Sequence, residues 1–170
     1  MVWTDSRAGG SNAEDIYSAS FSSAGVAGAG SAASLGAPMQ TAPRFAFNGM
    51  GYLAVIRSEL SGASRILAYR LDAQGNALDP QPLEVASGAT LRAPAVAWNG
   101  SVYLVAWSDG TTTQTIRARR LSSAGAFLDP APIAVMAGNS PDVAALGNQF
   151  LVVGVNAPAN PESQFPSRGA

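Results

Sequence analysis

Two aromatic–carboxylate pairs stand in matching surroundings, Trp3 with Asp5 in Val-Trp-Thr-Asp and Trp107 with Asp109 in Ala-Trp-Ser-Asp. An indole face beside a carboxylate suits sugar binding: the ring stacks on C–H groups and the carboxylate accepts from hydroxyls. The same pattern also describes a core Trp followed by an Asx-type turn residue, and Gly110 after Asp109 favours that structural role. Asn12, Glu14 and Asp15, with Asp5 nearby, form the densest acidic cluster. Oxygen ligands in such a Gly-containing loop could hold Ca²⁺, although the spacing follows no EF-hand pattern, and a solvated loop is the plainer account. No other cofactor is expected. Arg117, Arg119 and Arg120 form the only basic cluster. Guanidinium groups there could contact an acidic glycan or a phosphate, but an exposed strand face accounts for them more simply.

The missing residue types exclude more than these clusters include. The 170 residues contain no His, no Cys and no Lys, so all ten cations are Arg. Disulfides, thiolate nucleophiles, Fe–S clusters and Cys-ligated zinc are therefore ruled out. So are a Ser-His-Asp triad, an imidazole base, a lysine Schiff base and a P-loop lysine. Any catalysis would rest on Asp, Glu, Tyr, Ser, Thr or Arg. A net charge of −1 gives no electrostatic reason to expect a nucleic-acid partner. Met1 to Asp5 lacks the basic and apolar regions of a signal peptide. No window reaches the roughly eighteen uninterrupted apolar residues of a membrane span.

What must position these residues is a repeat. Pro43 to Gly49 aligns with Pro94 to Gly100, and Tyr52-Leu53-Ala54-Val55 aligns with Tyr103-Leu104-Val105-Ala106. Further on, Ile66, Leu71, Gly75, Leu78-Asp79-Pro80 and Pro82 match Ile116, Leu121, Gly125, Leu128-Asp129-Pro130 and Pro132. Two full copies span 41–91 and 92–139. A partial copy, the second half, fills 1–40, and a first half fills 140–157. Between Ala27 and Ala37 the first copy decays into Gly, Ala and Ser, and its last strand is hard to place. The Pro- and Ser-containing stretch 158–170 is expected to be a disordered tail.

Each full copy holds four short apolar runs, near 94–98, 102–107, 115–121 and 132–136 in the third. Val, Ile, Leu, Tyr and Trp dominate them, without a sustained helical period, so the chain is expected to be all-β. Asn99-Gly100 and Asn48-Gly49 predict type I′ hairpin turns, which need positive φ at both central residues. Asp79-Pro80 and Asp129-Pro130 are expected to shape turns. Tyr103 to Trp107 is apolar at consecutive positions, so both faces of its sheet should be covered. Trp98 and Tyr103 share repeat positions with Phe47 and Tyr52, which argues for core at all four.

Four antiparallel strands recurring every 40–50 residues describe a β-propeller blade, stacked on its neighbours. The pattern Pro-x-Val-Ala-Trp-Asn-Gly-x-x-Tyr-Leu-Val-x-Trp-x-Asp, carried by Pro94 to Asp109, is followed by a Leu-Asp-Pro element. Asp15-Ile16-Tyr17-x-Ala19 supplies a third element. Together they resemble repeats of large β-propeller-like proteins exported by myxobacteria and other high-GC bacteria, most of them uncharacterised. The resemblance implies a propeller-type fold and an extracellular or cell-surface setting, and it lends no catalytic residues.

About three blade equivalents are present, two full and two partial, whereas closed propellers typically have 4–8. A longer array, an open twisted stack, or self-association that completes the partial blades would each account for the count. The expected function is a non-enzymatic binding or interaction module with a protein or glycan partner. A lectin-like carbohydrate-binding module is the first alternative. A glycosidase-like enzyme is the second, and it is disfavoured because the acids are scattered over turns rather than paired.

Overall fold

The structure is a computed structural model and describes residues 2–5, 15–34 and 39–156; the tail 158–170 lies outside them. Every regular element is a strand. They are β1 (Val2–Asp5), β2 (Asp15–Ser18), β3 (Ser31–Ser34), β4 (Met39–Phe47), β5 (Tyr52–Leu60), β6 (Ala63–Leu71) and β7 (Leu83–Gly88). After these come β8 (Ala95–Trp98), β9 (Val102–Asp109), β10 (Thr115–Ser122), β11 (Ile133–Ala137), β12 (Asn139–Leu146) and β13 (Gln149–Val155). They form four antiparallel sheets in chain order: β1-β2-β3, β4-β5-β6-β7, β8-β9-β10-β11 and β12-β13. Each is an open meander whose strands neighbour their sequence neighbours, and among the described residues no sheet closes on itself. No helix there is long and apolar enough to cross a membrane.

The sheets stack in series. β4 lies against β1 and β2, β8 against β4 and β5, and β12 against β8, β9 and β10. Alternation along each strand then assigns one face to the sheet before and the other to the sheet after. Between the second and third sheets, Leu53, Val55, Ile66 and Ala68 meet Tyr103, Val105 and Trp107 in one cluster. Between the third and fourth, Ala95, Ala97, Leu104, Ala106 and Ile116 meet Val143, Phe150 and Val152. The strand β9 is buried on both faces from Tyr103 to Ser108, as its unbroken apolar run demands.

Repetition extends to irregularities. Ile16, Ile66 and Ile116 are all buried, and each ladder to the last strand of its sheet shifts register immediately after that Ile. Such bulges bend and twist a strand. The cross-strand aromatic pair also recurs, with Phe47–Tyr52 rings 4.9 Å apart and Trp98–Tyr103 rings 4.6 Å apart. Ala42 (φ 53°) and Ser140 (φ 49°) share another repeat position, in the left-handed region just before a Pro.

The Asn-Gly hairpins depart from the type I′ expectation. The Asn99 N–H donates to the Val102 carbonyl (3.2 Å), so Gly100-Ser101 is the central pair. Gly100 alone of the two has positive φ (94°), as at the first central position of a type II′ turn. Asn99 acts through its side chain instead: Oδ1 accepts from the N–H groups of Ser101 (3.0 Å) and Val102 (2.9 Å). Asn48 does the same for Met50 and Gly51. These loops also reach forward to the next sheet. Asn99 Nδ2 donates to the Asn148 carbonyl at 2.9 Å, and the Asn48 side chain hydrogen-bonds the Tyr103 hydroxyl.

Burial pushes the Tyr103 phenol up to about 12, with the Asn48 hydrogen bond acting weakly the other way. A phenol that titrates late in the fold contributes stability that is intact below about pH 10 and is lost as pH rises through the folded value. Spectrophotometric titration is therefore expected to show the Tyr103 phenol still protonated past pH 11. Tyr103→Phe should remove that late step, and a parent protein with no step above pH 11 would contradict it.

Candidate functional site

Of the aromatic–carboxylate pairs, Trp107 and Asp109 are held inside the fold. Trp107 is fully buried between the second and third sheets, which leaves no ring face for a ligand. At the end of β9, Asp109 Oδ1 accepts from Thr90 Oγ1 (2.5 Å) and Oδ2 from Arg117 Nε (3.2 Å). The Gly110 N–H in turn donates to Thr90 Oγ1 (3.2 Å). Asp109 thus fastens the connection between the second and third sheets, and its carboxylate is engaged on both oxygens.

The first pair is placed differently. Trp3 is half-buried and stacks on Tyr17, its cross-strand partner, with rings 6.0 Å apart and 24° from parallel. Gly30 passes so close to the Trp3 indole that a Cβ there would lie 2.8 Å from it. Asp5 pairs in register with Asp15 at the end of the β1–β2 ladder, and Asp15 is buried. Asn12, Glu14 and the Asp5 side chain lie outside the described residues, and no set of three metal-ligating side chains is present among the described ones.

The basic cluster is engaged as well. Arg117 holds Asp109. Arg119 donates to the carbonyls of Val85, Asp129 and Pro130 and lies 3.8 Å over the Phe127 ring. Arg120 binds Asp129 through Nη2 (2.6 Å) and Nε, while its backbone N–H donates to Asp129 Oδ2 (2.8 Å). The second sheet repeats the guanidinium–carboxylate part of this arrangement with Arg70 and Asp79. Both carboxyls are held below the usual carboxylate range, first by the guanidinium hydrogen bonds, with burial opposing them. Asp79 and Asp129, expected as turn residues, are therefore the anionic halves of a strand-to-loop clamp. In the first sheet the equivalent positions are Ser20 and Ala29, so cation and anion are missing together.

The opening suited to a ligand was not singled out by residue type. A cleft of about 220 Å³ lies between the first and second sheets, lined by Phe21, Phe45, Tyr52, Ser18, Ser20 and Gln74 among others. On that side β4 packs against β1 and β2 of the first sheet, whereas β8 is backed by β4, the first strand of the sheet before it. Phe45 and Phe47 are accordingly 44% and 50% exposed, while their equivalents Val96 and Trp98 pack against the core. The expectation of core for Phe47 is corrected on this ground. A second opening of about 500 Å³ lies beside Ala42, Arg57, Thr90, Arg92 and Ser140. Its Arg57 is spent on the Leu91 carbonyl (2.8 Å) and on Glu59 (2.6 Å).

Comparison with known proteins finds no family model, curated protein or solved structure that matches this chain.

Proposed function

We propose that the chain is a non-enzymatic binding module built of propeller-type repeats, from an exported or surface-associated bacterial protein. The observation that carries this is the uncharged, aromatic-walled cleft of Phe21, Phe45 and Tyr52 between the first two sheets. The ionisable groups described above are meanwhile spent on internal contacts. Asp79, Asp109 and Asp129 accept from Arg70, Arg117 and Arg120, and Glu59 and Glu84 pair with Arg57 and Arg65. A general acid or base must exchange its proton with substrate, which such clamps oppose. Stacked four-stranded meanders at a repeat of about 50 residues favour the propeller-type reading.

The cleft favours a neutral glycan as occupant. Ring faces suit the C–H faces of a sugar, and Ser18, Ser20 and Gln74 offer hydroxyl and amide partners without charge. A glycan array followed by calorimetry tests this. The expected result is binding of a neutral oligosaccharide that falls about tenfold in Phe45→Ala, the loss of about 1.4 kcal/mol of stacking. Phe45 is exposed enough that the fold should tolerate the change. An empty array would remove the glycan occupant, and glycoside turnover abolished by Asp109→Asn would overturn the non-enzymatic reading.

A further inference from the structure

We infer that the exposed face of the fourth sheet is the docking surface for the first sheet of a second copy of this chain. Within the chain, one interface is used repeatedly: the forward face of a sheet is covered by the back face of the next. On the third sheet that forward face includes Leu104 and Ala106, 8% and 0% exposed under β12 and β13. The fourth sheet carries Leu151 and Val153 at the equivalent positions, 61% and 50% exposed, with Leu146 and Val155 beside them. Register confirms that these residues share a face, since Leu151 is opposite Ala144 and Val153 opposite Asp142, while Val143, Phe150 and Val152 face the third sheet.

The complementary half stands at the other end of the series. Trp107 is the back-face residue that the second sheet buries, and Trp3 is its repeat equivalent. Trp3 and its partner Tyr17 are only half-buried on the back of the first sheet. One end therefore presents the apolar forward surface and the other the aromatic back surface of an interface already formed inside the molecule. That continuity commits the occupant to a second copy, joined head to tail. Such a heterologous contact closes into a ring or extends as a filament. It uses neither the aromatic cleft nor any ligand, so it stands apart from the binding reading.

The test uses the whole chain. Sedimentation velocity from about 1 to 200 μM, spanning the range of weak to moderate association, should show a species of at least twice the monomer mass. Leu151→Asp with Val153→Asp should shift it to monomer with an unchanged circular dichroism spectrum. Trp3→Asp should do the same from the other side. Mixing the two blocked variants should restore dimers and nothing larger, because each keeps one intact half. With no native Cys, Val153→Cys in one copy and Trp3→Cys in another should cross-link on oxidation. A wild-type monomer across the range overturns the inference, whether residues 157–170 or another protein then cover the face. Self-association that persists in Leu151→Asp/Val153→Asp overturns it equally.

Discussion

Trp107→Ala is expected to cost about 3–5 kcal/mol, the range for emptying a buried aromatic site. That is a large part of the 5–15 kcal/mol that holds typical domains folded. Trp107 fills the interface of the second and third sheets in one cluster with Leu53, Val55, Ile66 and Val85. Its indole Nε1 is also buried without a hydrogen-bond partner among the described residues. A buried orphan N–H costs about 1–3 kcal/mol, so Trp107→Phe loses volume but also removes that penalty. The phenylalanine variant should fall within about 1.5 kcal/mol of the parent. Urea unfolding followed by far-ultraviolet circular dichroism checks both. Equal midpoints for the Ala variant and the parent would show that this interface does not hold the sheets together.

Asp129→Ala is expected to cost about 1–3 kcal/mol, since it strands the Arg120 backbone N–H near the end of β10 and frees its guanidinium. The clamp also sets an acid limit. Guanidinium hydrogen bonds hold Asp79 and Asp129 below the usual carboxylate value, against an opposing effect of burial. A depressed folded value contributes stability that is present above the unfolded value of about 4 and disappears as pH falls through the folded one. Melting temperature should therefore drop steeply below pH 4 in the parent. In Asp79→Asn/Asp129→Asn the molecule should start lower at pH 7 and lose less between pH 4 and pH 2. Parallel curves for the two proteins would rule out these carboxylates as the source.

The strands and their grouping were legible because apolar runs and the recurring landmarks coincide: β8, β9, β10 and β11 fall on the four runs of the third copy within a residue or two. Side-chain partnerships were not. Arg120 and Asp129 are nine residues apart across a loop, and neither composition nor spacing says that a strand cation turns back on a loop carboxylate. Asn99 kept its turn but moved one place along it, because its side chain serves as acceptor where its backbone was expected to be left-handed. Repeat equivalence misled at Phe47, because a residue is core only if the neighbouring sheet supplies the strand that covers it. Where Ala27–Ala37 resisted a strand assignment, β3 still forms at Ser31–Ser34. The ladder needs backbone groups, and Ser and Ala provide those without an apolar signature.

The Arg–Asp clamps lie within single sheets, while the contacts between sheets are mostly apolar and repeat in kind from one junction to the next. A segment of about fifty residues taken from Ile66 to Ile116 carries the whole Arg70–Asp79 clamp and one repeat's worth of apolar junction surface with it. Gene duplication or deletion in that step splits neither Arg70–Asp79 nor Arg120–Asp129, and the polar contacts it must remake are few, chiefly Arg117 with Asp109 and Arg119 with the Val85 carbonyl. Such a chain can change length in whole units over evolution with little penalty to folding, and substitutions that pair charges across a junction would end that freedom.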